Sequence, residues 1–287
     1  PGLPYVFIGH NRHVAWGVTA ANGDVMDLFV EQTKPGDPST VRTPRGWKPL
    51  ERRTVEVRVR HGSQMRVRRF VHRHSENGVL LNDLYPKLIP KRAPPIALRW
   101  SMGDLSQTLD HIRAANRARN LAELQTAFLK LDILSVAITA GDVHGQVGLC
   151  ATGRIPLRKH HRGTIGAPGW LERYRWKAFA TPAMLPREAG GASARYANSN
   201  NLLWDPKRSP FLYQIDSATP YRRARVVNLL ERRKRHDRHS FARIQRDVYL
   251  RRAERVLPHL LADLRGLDPV SPLEASARAQ LERWSLH

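Results

Sequence analysis

The chain has 287 residues, enough for one large domain or two small ones with a substantial core, and its 41% hydrophobic content excludes a disordered tail. It carries 48 Lys and Arg against 25 Asp and Glu, a formal net charge of +23. One cysteine excludes an intrachain disulfide, and no apolar run approaches the ~20 residues of a membrane span. The basic residues are mostly arginines spread from Arg12 to Arg283. We interpret them as a generic basic surface, with non-catalytic binding of anions or nucleic acid as the alternative function.

The first thirty residues predict short strands and a tight turn. Residues 5–8 and 13–19 have the composition of strands around a turn at 9–12, and residues 26–31 form a third strand after an acidic loop. No basic segment followed by an apolar core precedes them, so the start is not a signal peptide. We expect the chain to begin inside a longer protein.

A β-hairpin gives the clearest local signal. Valines alternate with charged residues in TVEVRVR at 54–60, and MRVRRFV at 65–71 returns after the turn HGSQ. A period of two places alternate side chains on opposite faces of a strand. We therefore expect the valines on one face and the arginines on the other, in solvent, so that the arginine stripe is a wet sheet face and not a binding site.

Elements of both kinds follow along the chain. Apolar residues at helical spacing predict a helix over 104–130, and a strand pair is expected at 133–140 and 146–151. After an irregular stretch at 153–195, further helices are expected at about 220–235, 241–264 and 273–284. This order predicts an α+β fold whose strands pair antiparallel.

Several kinds of catalytic or metal site are not supported by motifs. The 13 histidines lack a zinc-site spacing such as HExxH, and no G-x-S-x-G, phosphate-binding loop or G-x-G-x-x-G occurs. Cys150 lies in the apolar stretch VGLCATG, which is typical of a buried small hydrophobe and not of a nucleophile.

Two later stretches leave alternatives open. In YANSNN, at 196–201, three asparagines within four positions are typical of a turn. An asparagine amide is also a good oxyanion donor in acyl transfer, because it stabilises charge without titrating. In TPYRRARVVNLL, Thr219 and Pro220 predict a helix start, and Arg222 in the first turn opposes the helix dipole and so needs another reason.

Together these stretches resemble the β chain of the penicillin acylase family, whose members are N-terminal nucleophile amidohydrolases. The resemblance spans nearly the whole chain in order, and GHNRHVAWGVT followed by DVMD is its most specific part. It rests on residues 1–31, on ALRW at 97–100 with the following helix, and on GDVHGQVGLCATGRIPLR, YANSNN, YRRARVVNLL and IQRDVYLRRAERVLPHLL. The resemblance implies part of the four-layer αββα sandwich of that superfamily, with antiparallel sheets.

The resemblance also implies a set of catalytic residues. In that family a precursor cuts itself, a serine becomes the first residue of the β chain, and its own α-amine serves as base. The oxyanion would be held by the backbone N–H of Ala20 and the side chain of Asn200, and Arg222 would organise the site. Val18 and Asn22 would contact the substrate. A polar Asn22, where phenylacetyl-preferring members have an aromatic residue, makes phenylacetyl specificity doubtful.

The acidic loop resembles the family's structural calcium site. The resemblance assigns carboxylates from Asp24 and Asp27 and the main-chain carbonyl of Met26 to Ca²⁺, which prefers such hard oxygen ligands. The alternative is a solvated turn. Other expected ligands are missing: Phe211 stands where an acid would be useful, although Asp216 is close.

The chain departs from the family pattern in ways that bear on activity. The nucleophilic serine is absent and is expected a few dozen residues before Pro1, which has no side-chain nucleophile; the C-terminus stops soon after LERW. We therefore expect residues 1–287 to be a single partial domain, truncated at both ends and inactive by itself.

The function implied is hydrolysis of an N-acyl amide through an acyl-enzyme, with a β-lactam, an acyl-homoserine lactone or an acyl amino acid as substrate. The implied partners are that small molecule and the missing α chain and N-terminal β segment of the same precursor, with no specific nucleic acid and no membrane. Autoproteolytic processing of a zymogen, a link to antibiotic biosynthesis and a periplasmic or secreted location are expected on the same ground.

Overall fold

The computed structural model describes residues 4–103, 105–205, 207, 209 and 211–287. Pro1, and residue 104 at the expected start of the first long helix, lie outside these ranges. Within them the strands are β1 (Gly9–His10), β2 (Val14–Ala20), β3 (Met26–Val30), β4 (Thr33–Lys34), β5 (Asp37–Thr43), β6 (Gly46–Pro49), β7 (Glu51–His61), β8 (Gln64–Ser75), β9 (Gly78–Leu80), β10 (Ile96–Trp100), β11 (Val136–Asp142), β12 (Val147–Ala151), β13 (Ala167–Pro168) and β14 (Arg187–Gly190).

The described helices lie between and after the strands, and short 3-10 turns occur at Glu172–Tyr174 and Pro182–Met184. Among the residues described, none of the helices has the length and apolar character needed to span a bilayer. The helices are α1 (Leu81–Leu84), α2 (Leu105–Asn116), α3 (Leu121–Leu129), α4 (Tyr221–Glu231), α5 (Arg238–Gln245), α6 (Arg251–Asp263) and α7 (Pro272–Arg283).

The first sheet has five antiparallel strands in the order β1-β2-β11-β12-β14. β2 pairs with β11 along its whole length, from Val14 opposite Asp142 to Ala20 opposite Val136. The GHNRHVAWGVT signature runs through β1, the following turn and β2, and the C-terminal end of β2 leads directly into the acidic loop.

A helix layer covers one face of this sheet and forms the main core. The ring of Trp16 on β2 lies 6.4 Å from that of Phe128 on α3. On β12, Cys150 is fully buried, and Gly148 allows Leu121 and Gln125 of α3 to approach so closely that an added Cβ would contact both. The apolar side of α3 therefore packs against this face of the sheet and fixes the position of β2.

The second sheet has six strands in the order β13-β3-β10-β9-β8-β7, and a third small sheet has the order β4-β5-β6. Phe29, Leu80 and Ala97, all fully buried, form a separate core under the second sheet. Gly78 is required where β9 begins, because its φ is +135° and a Cβ there would collide with the carbonyl of Leu98. Apart from the parallel pair of β13 with β3, the pairings are antiparallel, which confirms the predicted α+β class.

Three predicted elements need correction. Residues 5–8 form bends and not a strand. The helix predicted over 104–130 is two helices, because the side chain of Asn120 accepts a hydrogen bond from Glu123 N and starts α3 anew. The helix predicted over 241–264 is also two, since α5 ends at Gln245 and α6 begins at Arg251.

The hairpin of β7 and β8 forms as predicted, but its faces are not separated into apolar and basic. Val55 lies opposite Phe70, whereas Val57 lies opposite Arg68, so both kinds share one face. Val67 lies opposite Arg58 on the other face. The returning strand does not keep the alternation of the first, and apolar side chains such as Phe70, 52% exposed, stay in solvent.

Candidate active site

The last residue of β2, Ala20, directs its backbone groups away from β11. Ala21 N donates to Ser135 O at 3.2 Å, and alternate residues of an antiparallel strand direct their N–H and C=O groups to opposite sides. The N–H and C=O of Ala20 therefore point to the β1 side, where the pairing of β1 involves Ala15 and Trp16. This leaves the Ala20 N–H directed at an open edge of the described sheet.

The side chain of Asn200 reaches this edge from a loop far along the chain. Its Nδ2 donates to Ala20 O at 2.9 Å and to Thr19 Oγ1 at 3.0 Å. Because the C=O and N–H of one strand residue point the same way, the amide of Asn200 lies on the side that the Ala20 N–H faces. The structure thus brings together the two groups that the sequence predicts as oxyanion donors.

Arg222 sets the orientation of that amide. Its Nη2 donates to Asn200 Oδ1 at 3.0 Å and to Ser199 O at 2.7 Å. A guanidinium can only donate, so the oxygen of the Asn200 side chain must face Arg222 and the nitrogen must face β2. This contact gives the reason for an arginine in the first turn of α4, where it opposes the helix dipole.

The asparagine cluster is also a turn, so both interpretations of YANSNN apply. Asn198 Oδ1 accepts from Asn200 N at 3.0 Å, and Asn201 Oδ1 accepts from Ser199 N at 3.1 Å. Asn200 itself has φ +61°, a left-handed conformation that asparagine tolerates better than most residues. The turn presents the Asn200 amide, and the neighbouring asparagines stabilise the turn.

The loop after β2 is fixed at each step. Gly23 N donates to Ser135 Oγ at 2.8 Å, and Asp24 N donates to Tyr213 O at 2.8 Å. Tyr213 is nearly fully buried, and its hydroxyl donates to Thr152 O at 2.7 Å. These contacts hold the segment between Ala20 and Asp24 against the core.

The acidic loop contains an arginine that sequence reasoning did not assign. Arg158 Nε lies 2.8 Å from Asp27 Oδ2, and its Nη1 lies 3.0 Å from Asp24 Oδ2. The indole Nε1 of Trp176 donates to the same Asp27 oxygen at 2.5 Å. Burial raises the pKa of Asp24 to about 6; Arg158 opposes this rise, and Asp27 and Asp216 add to it.

Comparison with known proteins shows which family the chain belongs to. A family model described as penicillin amidase matches residues 1–287, which is the whole chain. The chain belongs to the penicillin amidase family. The fold is also that of a penicillin amidase: the thermostable penicillin G acylase from Alcaligenes faecalis superposes with a TM-score of 0.77 at 20% identity, over 99% of this chain and 50% of that one. The predicted N-terminal nucleophile hydrolase fold is thereby confirmed.

Relatives that match most of this chain are themselves covered over only a small part of their length. The acyl-homoserine lactone acylase QuiP of Pseudomonas aeruginosa is 28% identical to this chain. The match covers 86% of this chain and 29% of the length of QuiP. A penicillin acylase 2 proenzyme of Pseudomonas sp. is 27% identical over 80% of this chain and 28% of its own. The chain therefore spans less than a third of the length of these relatives.

The residues at the acidic loop do not fit the calcium ion that the penicillin amidase resemblance implies. Ca²⁺ takes roughly six to eight oxygen ligands, whereas here the cationic guanidinium of Arg158 already contacts both Asp24 and Asp27. Met26 is half-exposed at the start of β3. Across the described ranges, no three or more His, Cys, Asp or Glu side chains converge as a metal site. The Ca²⁺ site stays a prediction.

The two residues predicted to contact substrate differ in position. Asn22 is exposed with φ +53°, two residues after Ala20, and so lies at the open edge. Val18 packs against the main core. Since successive side chains of a strand alternate, Val18 lies on the face opposite to Thr19, which contacts Asn200. A substrate contact by either residue stays a prediction, and the position of Val18 favours a core role.

A cavity of about 1070 Å³ lies on the sheet face that Thr19 shares. Ala15 and Gly17 of β2 belong to its floor, together with Thr139 of β11. Basic residues of the α4–α5 region, including Lys234, form part of its rim. Sequence reasoning missed this cavity, because its walls come from segments far apart in the chain and no local motif marks them.

The single cysteine and His74 have pKa values that burial shifts. Cys150 is buried, and burial raises its pKa to about 12, so it is a core residue without thiolate chemistry, as predicted. The rings of His72 and His74 lie 5.0 Å apart on β8, and burial lowers the pKa of His74, with Arg53 and His72 adding to the effect.

Proposed function

We propose that the protein hydrolyses an N-acyl amide through an acyl-enzyme, and that this chain supplies the oxyanion donors. The observation that carries the proposal is the hydrogen bond from Asn200 Nδ2 to Ala20 O, which places the amide on the side of β2 that the Ala20 N–H faces. Two N–H donors at one edge suit the negative oxygen of a tetrahedral intermediate.

The nucleophile in this proposal is a serine outside the given chain, and its own α-amine is the base. The serine oxygen attacks the amide carbon while the amine takes the hydroxyl proton. The carbonyl oxygen gains the charge and accepts hydrogen bonds from Ala20 N–H and Asn200 Nδ2. Breakage of the C–N bond releases the amine half of the substrate, which takes that proton from the α-amine of the serine. Water then hydrolyses the acyl-serine ester.

In this scheme the bound substrate exchanges one contact of the resting state. Asn200 Nδ2 donates to Thr19 Oγ1 and to Ala20 O, so a substrate oxygen takes the place of the Thr19 hydroxyl. Arg222 keeps the amide from rotating as this exchange occurs, because its donors hold Oδ1. Fixed dipoles of this kind require no reorganisation when charge develops.

The proposed substrate class is supported by the names of the relatives and by the volume of the cavity on the Thr19 face. Matching proteins are named acyl-homoserine lactone acylase and penicillin acylase, and we propose N-acyl substrates of these kinds or acyl amino acids. The cavity on the Thr19 face has room for such a molecule, with an apolar floor and a basic rim, but Thr19, Ala20 and Asn200 are not among its lining residues. We further propose a self-processed precursor, supported by the proenzyme name of one relative, and a periplasmic or secreted location, supported by the family resemblance alone.

The test compares residues 1–287 alone with the protein that includes the upstream segment. We expect turnover of chromogenic N-acyl amides by the longer protein and none by residues 1–287. Comparable turnover by residues 1–287 alone would overturn the assignment of the nucleophile. In the genomic sequence, a start codon immediately before Pro1 would instead favour the non-catalytic anion-binding alternative.

A further inference from the structure

The buried side of the acidic loop holds a cluster of one arginine and two aspartates. Arg158 contacts Asp27 Oδ2 through Nε at 2.8 Å, Asp24 Oδ2 through Nη1 at 3.0 Å and Asp24 O through Nη2 at 3.2 Å. The side chain of Arg158 is 4% exposed, those of Asp24 and Asp27 11% and 1%. A guanidinium removed from water in this way is retained only where it is paired on several sides.

Aromatic contacts complete the surroundings of the cation. The guanidinium of Arg158 lies 5.8 Å from the centre of the Trp176 ring, and that of Arg99 lies 4.9 Å from the same ring. Trp176 also donates its indole N–H to Asp27. A tryptophan that stacks on the cation and donates to its carboxylate fixes both partners of the pair.

The backbone closes the remaining side of the cluster. Gly163 has φ +77°, and a Cβ on it would contact Asp27 Oδ1, Asp24 Oδ2 and Arg158 Nε. The Cα of Gly163 therefore packs closely against these charged atoms. Asp27 Oδ1 and Asp24 Oδ2 are both buried there without a hydrogen-bond partner among the described residues. Asp24 Oδ2 has an ion-pair contact with Arg158 Nη1 at 3.0 Å, and Asp27 is contacted through its other oxygen.

We infer that Arg158 is the built-in counter-cation of the acidic loop, and that this loop folds without a divalent metal. The guanidinium takes the place of a bound cation, because it neutralises the carboxylates of the loop. It also links Asp27 to a segment that lies 131 residues later in the chain. The inference does not depend on the proposed catalytic role of Ala20 or Asn200.

The first experiment uses the unaltered full-length protein. Its Tm should be the same after chelation with EDTA and after addition of millimolar Ca²⁺, and elemental analysis should find no stoichiometric calcium. A fall in Tm on chelation, or one calcium per chain, would overturn the inference whatever the variants do.

The second experiment is a double-mutant cycle read by Tm. Arg158→Met should lower the Tm by roughly 6–15 °C, because it leaves buried carboxylates unpaired. Adding Asp27→Asn to the same chain should recover part of this loss, since one of those charges is removed. Losses that simply add would show that Arg158 acts through packing and would overturn the inference.

The pair of Arg225 and Asp247 is the matched control. It is also an arginine–aspartate ion pair, bidentate to one carboxylate at 2.7 and 2.9 Å, but its side chains are 16% and 17% exposed. Arg225→Met with Asp247→Asn should show a smaller coupling. If Arg158→Met does not fold, Arg158→Lys keeps the charge and should fold with a lower Tm that still does not respond to EDTA; a response would overturn the inference.

Discussion

The amide of Asn200 reaches the end of β2 from a backbone position that few residues adopt. Its φ of +61° costs energy for a residue with a Cβ, and the surrounding contacts offset that cost. Asn198 and Ala218 bond its backbone, and Arg222 holds its side-chain oxygen. An asparagine with every polar group fixed is suited to donate without moving.

Replacement of Asn200 by alanine should remove one oxyanion donor and leave the fold intact. In the processed full-length protein, loss of such a donor is worth ~2.7–4 kcal/mol, or about 10²–10³ in kcat. Asn198→Ala is the matched control, because Asn198 supports the turn without contacting β2. Near-normal hydrolysis rates for purified, processed Asn200→Ala would remove Asn200 from the site.

Glu31 gives the chain a pH dependence that can be isolated. It is 2% exposed just after β3, and its Oε1 accepts from Ser75 Oγ at 2.5 Å and from Asn77 Nδ2 at 3.0 Å. Burial raises its pKa above the ordinary 4.5, although both hydrogen bonds oppose the rise. A raised carboxyl pKa favours folding below the unfolded value, and this contribution is lost as pH rises through the folded value.

We therefore expect Glu31→Gln to gain stability relative to the unaltered protein as pH rises above 4.5. Urea unfolding from pH 4 to pH 8 measures the difference in free energy of unfolding. Glu56→Gln, at an exposed pair with Arg69, is the control and should show little change. A constant difference for Glu31→Gln across this range would contradict the assignment of the buried charge.

At the level of single elements, the break between α2 and α3 has a local cause that can be tested. Asn120 Oδ1 accepts from Glu123 N at 2.9 Å and caps α3. Asn120→Ala should cost about 1 kcal/mol of unfolding free energy, whereas Asn120→Asp keeps the acceptor and should cost much less. Equal losses in chemical denaturation would show that the cap contributes nothing.

Elements with regular side-chain periodicity could be predicted from the sequence, and their ends could not. β2, β7, β8, β11 and β12 form close to where strands are predicted. The apolar period of residues 104–130 continues across Asn120, so the pattern does not register the cap that divides the helix. Residues 5–8 have strand composition but form bends, because propensity is weaker than tertiary context.

Site residues that lie in family motifs could be identified from the sequence, whereas contacts between segments far apart in the chain could not. Ala20, Asn200 and Arg222 could be identified because family motifs mark each of them, and the structure brings them together. Arg158 lies inside a recognised motif, yet its partner Asp27 is 131 residues away and no local pattern connects them. Contacts across such separations depend on how sheets pack, which single-sequence periodicity does not describe.

For the molecule as a whole, the net charge of +23 is a property of the surface. Basic side chains of the β7–β8 hairpin and of α4 to α7 are mostly exposed. Such a surface attracts polyanions without reading sequence.

We expect DNA binding to be weak and indifferent to sequence, and to fall steeply with salt because counterion release drives it. Fluorescence anisotropy with two unrelated duplexes from low to physiological ionic strength tests this. An unrelated protein of similar charge is the control. Tight binding to one sequence at physiological salt would favour the nucleic-acid-binding alternative.

The Arg222 contact couples the chemistry to the mobility of a helix. Asn200 and Ala20 are 180 residues apart, and the guanidinium that aligns them belongs to α4, whose only buried side chain among those described is Leu230. Helices with little buried surface loosen before the main core does. Under the proposed mechanism, warming should release Arg222 while the sheets remain intact. Turnover should then decline below the melting transition and return on cooling, and hydrogen exchange should locate the first opening in α4.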